Sequence, residues 1–144
     1  MKYHTTYFSA RGFKALSGFF FLAFSLLFLW SCKENPYEQG EVLYEYHCAS
    51  CHMSDGSGLG ALIPPLADSD YWVEHQQDIP CIIRHGLVDT IIVNGKTYNQ
   101  PMAGIASLKP VMISNIINFI NYNWYDEDTF VAPQEVETLL EGCN

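Results

Sequence analysis

The sequence predicts a mainly α-helical domain whose helices and loops wrap around one large, flat, apolar group. Three observations carry that prediction. Two segments, 40–52 and 108–124, place apolar residues at helical spacing. The stretches between them, among them "LGALIPPLA" and "PMAGIA", are rich in glycine and proline yet too apolar for simple linkers. Strand and helix signals do not alternate, which argues against a parallel sheet.

Taken from the N-terminus, residues 1–31 have the make-up of an export signal. Lys2, Arg11 and Lys14 come first, with no acidic residue before Glu34. "FFFLAFSLLFLW", Phe19 to Trp30, follows and is shorter than the roughly 20 residues a membrane span needs. "LWSC" then resembles a bacterial lipoprotein cleavage box, with Cys32 as the lipidated first residue of the mature chain. Trp30 fits that box poorly, and an uncleaved signal anchor is the alternative. In either case the remainder is exported and faces the periplasm or the cell exterior, an oxidising setting. All 16 acidic residues follow Cys32, against Lys33, Arg84, Lys96 and Lys109 alone. So acidic a surface excludes nucleic acid as a partner and favours proteins with a basic docking face.

"KENPYEQ" completes a tether over 32–39. "GEVLYEYHCASCH" is a helix ending near His52, with Val42, Leu43 and Tyr46 on one side. "MSDGSGLGALIPPLADSD" is loop. "YWVEHQ" and "IPCIIRHGL" are two short helices, the second stopped by Gly86. "TIIVNGKTY" carries a type I′ hairpin signal at Asn94-Gly95, and "NQPMAGIAS" is loop. The helix of 108–124 buries Ile113, Ile116, Ile117 and Ile120, with asparagines between them. A C-terminal extension over 126–144 ends in a short helix. The mature length suits one domain.

The chemistry concentrates in "YHCASCHMSDGSG". Cys48, Cys51 and His52 can be read in three ways. A thioredoxin-like redox pair belongs before a helix in an α/β fold, and here the pair closes a helix. A zinc site needs four ligands, which Cys81 and His85 would complete, but export exposes those thiols to oxidation. The third reading is C-x-x-C-H, the attachment signature of c-type haem. Each thiol adds across one haem vinyl, and the histidine is placed under the iron.

With these residues the chain resembles a class I cytochrome c from Gly40 to about Trp124. "GEVLYEYHCASCH" is similar to the first helix of that family, "GSGLGALIPPL" to its glycine-rich loop, "VNGKTYNQPMAG" to the segment bearing the distal methionine, and "IINFINYNW" to its last core helix. The resemblance implies the cytochrome c fold over 40–125. It implies one covalent haem c on Cys48 and Cys51, with His52 as proximal iron ligand. Pro64 would accept the His52 ring N–H, Leu66 would pack on the haem face, and Gly40 would let the last helix approach near Phe119 and Tyr122. Met102 would be the distal ligand, ahead of Met53, Met112, His75 and His85. Tyr98 would either bond near Met102 or a haem propionate, or simply pack. Trp72 and Trp124 are placed in the core or at the haem edge, and His47 on the surface. Cys81 and Cys143 stand outside the family pattern and, left over in an exported chain, suggest a disulfide.

With His52 and Met102 both on iron, no position is open for substrate. The expectation is therefore an electron carrier of a respiratory chain, tethered by lipid on Cys32, and not an enzyme. A haem subunit fixed in a larger oxidoreductase, and a gas-binding sensor or peroxidase-like protein, are the two other classes.

Overall fold

The computed structural model describes residues 35–125 and 130–143. The signal segment 1–31 and the first three residues of the tether, Cys32, Lys33 and Glu34, lie outside the described residues. The element order is α1 (Glu38–His47), α2 (Ala49–His52), α3 (Asp70–Glu74), α4 (Ile79–His85), β1 (Gly86–Leu87), β2 (Ile91–Val93), β3 (Lys96–Tyr98), β4 (Met102–Ala103), α5 (Pro110–Trp124) and α6 (Pro133–Glu141). No helix among these is long and apolar enough to cross a membrane.

α1 starts at Glu38, inside the stretch expected to be tether. Glu38 and Glu41 in its first turn suit the positive end of the helix dipole. Just ahead of it, Tyr37 packs edge-on against Tyr122 at 5.5 Å. The inward face of α1 also differs from expectation. Val42 and Tyr46 are 63% and 80% exposed, while Gly40 and Tyr44 are buried and Leu43 packs at the core margin. Both pairs are spaced i, i+4, and the crossing with α5 selects the pair with the smaller partner. A Cβ on Gly40 would collide with the Asn115 carbonyl and come within 2.7 Å of the Phe119 Cβ. Glycine there brings the helix backbones together and lets Tyr44 pack on Phe119 (5.4 Å) and Trp124 (5.3 Å).

α5 is the central element. Ile113, Ile116, Ile117 and Ile120 are buried, as their spacing predicts. Asn118 and Asn121 are buried as well. Asn118 donates to the Val131 carbonyl (2.9 Å) and accepts from the Val131 N–H (2.9 Å), and Ser114 donates to the same carbonyl (2.7 Å). Asn121 accepts from Trp72 Nε1 at 2.9 Å. Asn118 is thereby satisfied by the C-terminal segment that covers it, whereas the buried Nδ2 of Asn121 finds no hydrogen-bond partner among the described residues. The described part of that segment, within the extension expected beyond 125, packs against α5. Val136 of α6 is fully buried against α5, and a disulfide joins Cys143 to Cys81 of α4.

Two small antiparallel ribbons complete the fold. β2 and β3 form the hairpin expected at Asn94-Gly95, with φ of 51° and 73° at the turn. β1 and β4 pair Leu87 with Met102 and Gly86 with Ala103. The segment 99–107, expected to be loop throughout, thus carries a short strand. Two-residue strands have no periodicity to reveal them.

Candidate functional site

A cavity of about 450 Å³ lies within the described residues. Cys48, Cys51 and His52 line it from the end of α1 and from α2, Pro64 and Leu66 from the following loop, Tyr98 from β3 and Met102 from β4. All seven residues expected to hold the cofactor thus meet at one site. Trp72 of α3, Ile82 and Ile83 of α4, Val93 of the hairpin, and Ile116 and Ile120 of α5 fill in an otherwise apolar wall. His47, expected on the surface, is half-buried and also lines the cavity.

His52 is buried, and its Nδ1 lies 3.1 Å from the Pro64 carbonyl. A carbonyl only accepts, so Nδ1 carries the proton and Nε2 keeps a free lone pair. Burial pushes the imidazole pKa down, and the bond to Pro64 partly opposes it. A neutral ring with Nε2 available is the form that binds a metal. The loop around Pro64 is tightly set. Gly58, at φ 71°, donates to the His52 carbonyl (3.0 Å), and a Cβ on it would run into the backbone of Pro64. Leu59 donates to the Ile63 carbonyl at 3.0 Å, and Leu66 to the Gly56 carbonyl at 2.8 Å. On the other side of His52, the buried Tyr44 hydroxyl donates to the Met53 carbonyl at 2.7 Å.

Burial, and then the neighbouring Cys51, push the Cys48 thiol up to about 12. A redox dithiol needs an accessible thiolate, so this environment disfavours that reading. The zinc reading loses a ligand, because Cys81 is bonded to Cys143. Among the described residues no three His, Cys, Asp or Glu side chains gather to hold an ion.

Met102 is half-buried on the wall. Its rivals are elsewhere. Met112 packs at the margin of the core, His75 stacks on Tyr71 at 4.1 Å, and His85 is exposed. Tyr98 is buried, with Lys96 Nζ 5.3 Å from its ring centre. Lys96 also donates to the Gly60 carbonyl at 2.8 Å, tying the hairpin to the glycine-rich loop. Asn94 and Asp70 clamp the hairpin to α3 by reciprocal bonds of 3.1 and 2.7 Å.

Tyr125 is a residue that the sequence reading gave no role. Its hydroxyl donates to the Leu66 carbonyl and accepts from the Ser69 N–H at 2.9 Å, and burial pushes it up to about 12. It staples the loop that carries Leu66 to the end of α5. No local motif marks it, since its partners lie far back in the sequence.

The cavity fits a haem c. Its volume lies in the range of cofactor sites, roughly 300–1,000 Å³, and its wall is mostly apolar. Two thiols and a neutral imidazole come from one short segment, and a thioether from another. Thiols are the groups that add to haem vinyls, and imidazole and thioether are intermediate and soft donors suited to iron in a porphyrin and not to a hard cation.

A model of the family described as "Cytochrome C oxidase, cbb3-type, subunit III" matches residues 35–120, more than half of the chain. The chain is also 33% identical over 87 residues to proteins described as "Alcohol dehydrogenase (quinone), cytochrome c subunit" from Gluconacetobacter polyoxogenes and from Komagataeibacter europaeus. Each of these matches covers 59% of this chain but 18% of the relative. The chain therefore spans under a fifth of the length of those relatives.

Proposed function

The chain belongs to the family described as cbb3-type cytochrome c oxidase subunit III, and from that premise we propose that it is a membrane-tethered electron-transfer protein in which His52 and Met102 ligate the iron of its haem c. A cytochrome c domain carries electrons and holds its haem covalently; Cys48 and Cys51 are the residues we assign to the two thioether bonds. The observation that carries the reading is the meeting of Cys48, Cys51, His52 and Met102 on one apolar cavity, with the His52 ring fixed by Pro64.

When bound, haem c supplies a one-electron iron couple. The residues set the terms on which that couple works. Pro64 fixes the orientation and raises the basicity of His52. The Met102 thioether favours the reduced metal and raises the potential relative to a second histidine. The isoleucines of α4 and α5 keep water out, which limits solvent reorganisation when charge changes. With His52 and Met102 both holding the iron, no position would be left for substrate. Export and a lipid on Cys32 would hold the domain at a membrane surface. A diacylglyceryl group supplies the two chains that stable anchoring needs.

The test is spectroscopic. Acid acetone should leave the haem on the protein, and Met102→Ala should let the reduced protein bind CO and should lower the midpoint potential. Extractable haem would sink the thioether assignment. An unchanged potential would remove Met102 as ligand.

A second reading, a haem subunit held within a larger oxidoreductase, is favoured by the names of the relatives, which are subunits of a dehydrogenase. Co-purification of a stoichiometric partner from native membranes would establish it over a free shuttle.

A further inference from the structure

We propose that Gly86 and Gly104 are positioning residues for Met102, forming a backbone clasp that decides where its thioether sits. The inference rests on the assignment of Met102 as iron ligand made above.

Met102 arrives on a strand of two residues, too short to hold its own place. What holds it is the seam with the end of α4 and β1. Leu87 pairs with Met102, Gly86 pairs with Ala103, and the Ile105 N–H donates to the Ile83 carbonyl at 2.9 Å. Along this seam the two glycines face each other. A Cβ on Gly86 would run into the Met102 carbonyl and stand 2.7 Å from the Gly104 nitrogen. A Cβ on Gly104 would stand 2.6 Å from the Gly86 nitrogen and 2.7 Å from the Arg84 carbonyl, and would collide with the His85 carbonyl carbon. Every obstacle is backbone, so none can turn aside as a side chain would. An added methyl must therefore lift β4 from β1.

The two positions differ in a useful way. Gly86 has φ 88°, which would strain any other residue there. Gly104 is not among the positive-φ glycines, so its replacement acts through contact alone. A thioether is a weak ligand, and ligand constellations must be held within about 0.5 Å of their productive place. Lifting β4 by the thickness of a methyl group exceeds that tolerance.

The experiment compares Gly104→Ala, Met102→Ala and Gly95→Ala in the purified holoprotein. Gly95 also has a positive φ, at 73°, but a Cβ there meets nothing within 4 Å, so it controls for glycine loss without contact. Gly104→Ala should lose most of the methionine-to-iron charge-transfer absorbance. It should bind CO about tenfold faster when reduced, as expected for easier local opening. Its midpoint potential should fall, with covalent haem content and helix content unchanged. Gly95→Ala should keep the absorbance and the potential. A folded Gly104→Ala protein with the wild-type band and potential would overturn the inference. If Met102→Ala itself keeps the band, the ligand assignment fails first and takes the clasp with it. If Gly104→Ala does not fold, the wild type still decides. Displacing the methionine with added imidazole should speed hydrogen exchange at the Ile105 amide. Unchanged protection there would mean that Met102 moves independently of the seam, and would reject the clasp.

Discussion

At the scale of single residues, the site is held by backbone carbonyls as much as by side chains. Pro64 orients His52, Met53 anchors Tyr44, and Leu66 anchors Tyr125, each through its carbonyl oxygen. Tyr125 is the least expected of these. Removing its hydroxyl would leave the Leu66 carbonyl and the Ser69 N–H without that partner in a part-buried setting. Tyr125→Phe should therefore cost about 1–3 kcal/mol, the penalty for buried polar groups left unpaired. Denaturant unfolding of the holoprotein measures it. Because Leu66 lines the cavity, the variant should also broaden the haem absorption while leaving the haem covalently attached. A variant as stable as wild type would show that the loop from Leu66 to Ser69 is held by its other contacts.

At the scale of elements, the C-terminal helix is built into the fold from both ends. Asn118 and Ser114 grip Val131 ahead of α6, and the Cys81–Cys143 disulfide closes its far end over a separation of 62 residues. By the chain-entropy account, opening a loop of that length costs about 4 kcal/mol, though strain and residual structure often reduce the effect. Cys81→Ser with Cys143→Ser should lower the unfolding free energy by an amount of that order. Peptide mapping without reduction should recover the two half-cystines joined; free, alkylatable thiols would refute the bond. The sequence showed some of these elements and concealed others. Cys48, Cys51 and His52 could be singled out because their C-x-x-C-H spacing is local and fixed. The α5 isoleucines were legible because four branched apolar residues recur at the helical period. The face of α1 was not. Two i, i+4 pairs compete there, Val42 with Tyr46 and Gly40 with Tyr44. Periodicity weighs only apolar bulk, whereas a close helix crossing rewards its absence. Asn118 and Asn121 looked like polar spacers, because the partners they bond come from Val131 and Trp72, elsewhere in the chain. β1 and β4 left no trace in hydropathy, since their pairing depends on two facing glycines and not on alternation.

At the scale of the whole molecule, the surface offers two ways to meet a redox partner, by charge and by apolar contact. Sixteen acidic residues follow Cys32, and only Lys33, Arg84, Lys96 and Lys109 offset them. One of the four, Lys96, is already engaged with the Gly60 carbonyl. Such an excess attracts a basic docking face at long range, which mainly raises the association rate. Salt screens that attraction over about 8 Å at physiological strength. The exposed apolar side chains Val88 and Ile92, 79% and 63% exposed, offer a different mode of contact. They flank Leu87, Asp89 and Ile91, which line the cavity, so a partner seated on them would dock close to the cofactor without needing charge. The two modes respond oppositely to ionic strength. For a shuttle guided by its acidic surface, the second-order rate of electron transfer to the physiological oxidant should fall steadily as salt is added, and first-order transfer within the formed complex should hardly change. Stopped-flow oxidation of the reduced holoprotein across a salt series separates the two rates. A second-order rate that stays flat or rises would place docking on the apolar rim, the behaviour expected of a subunit that remains with its partner.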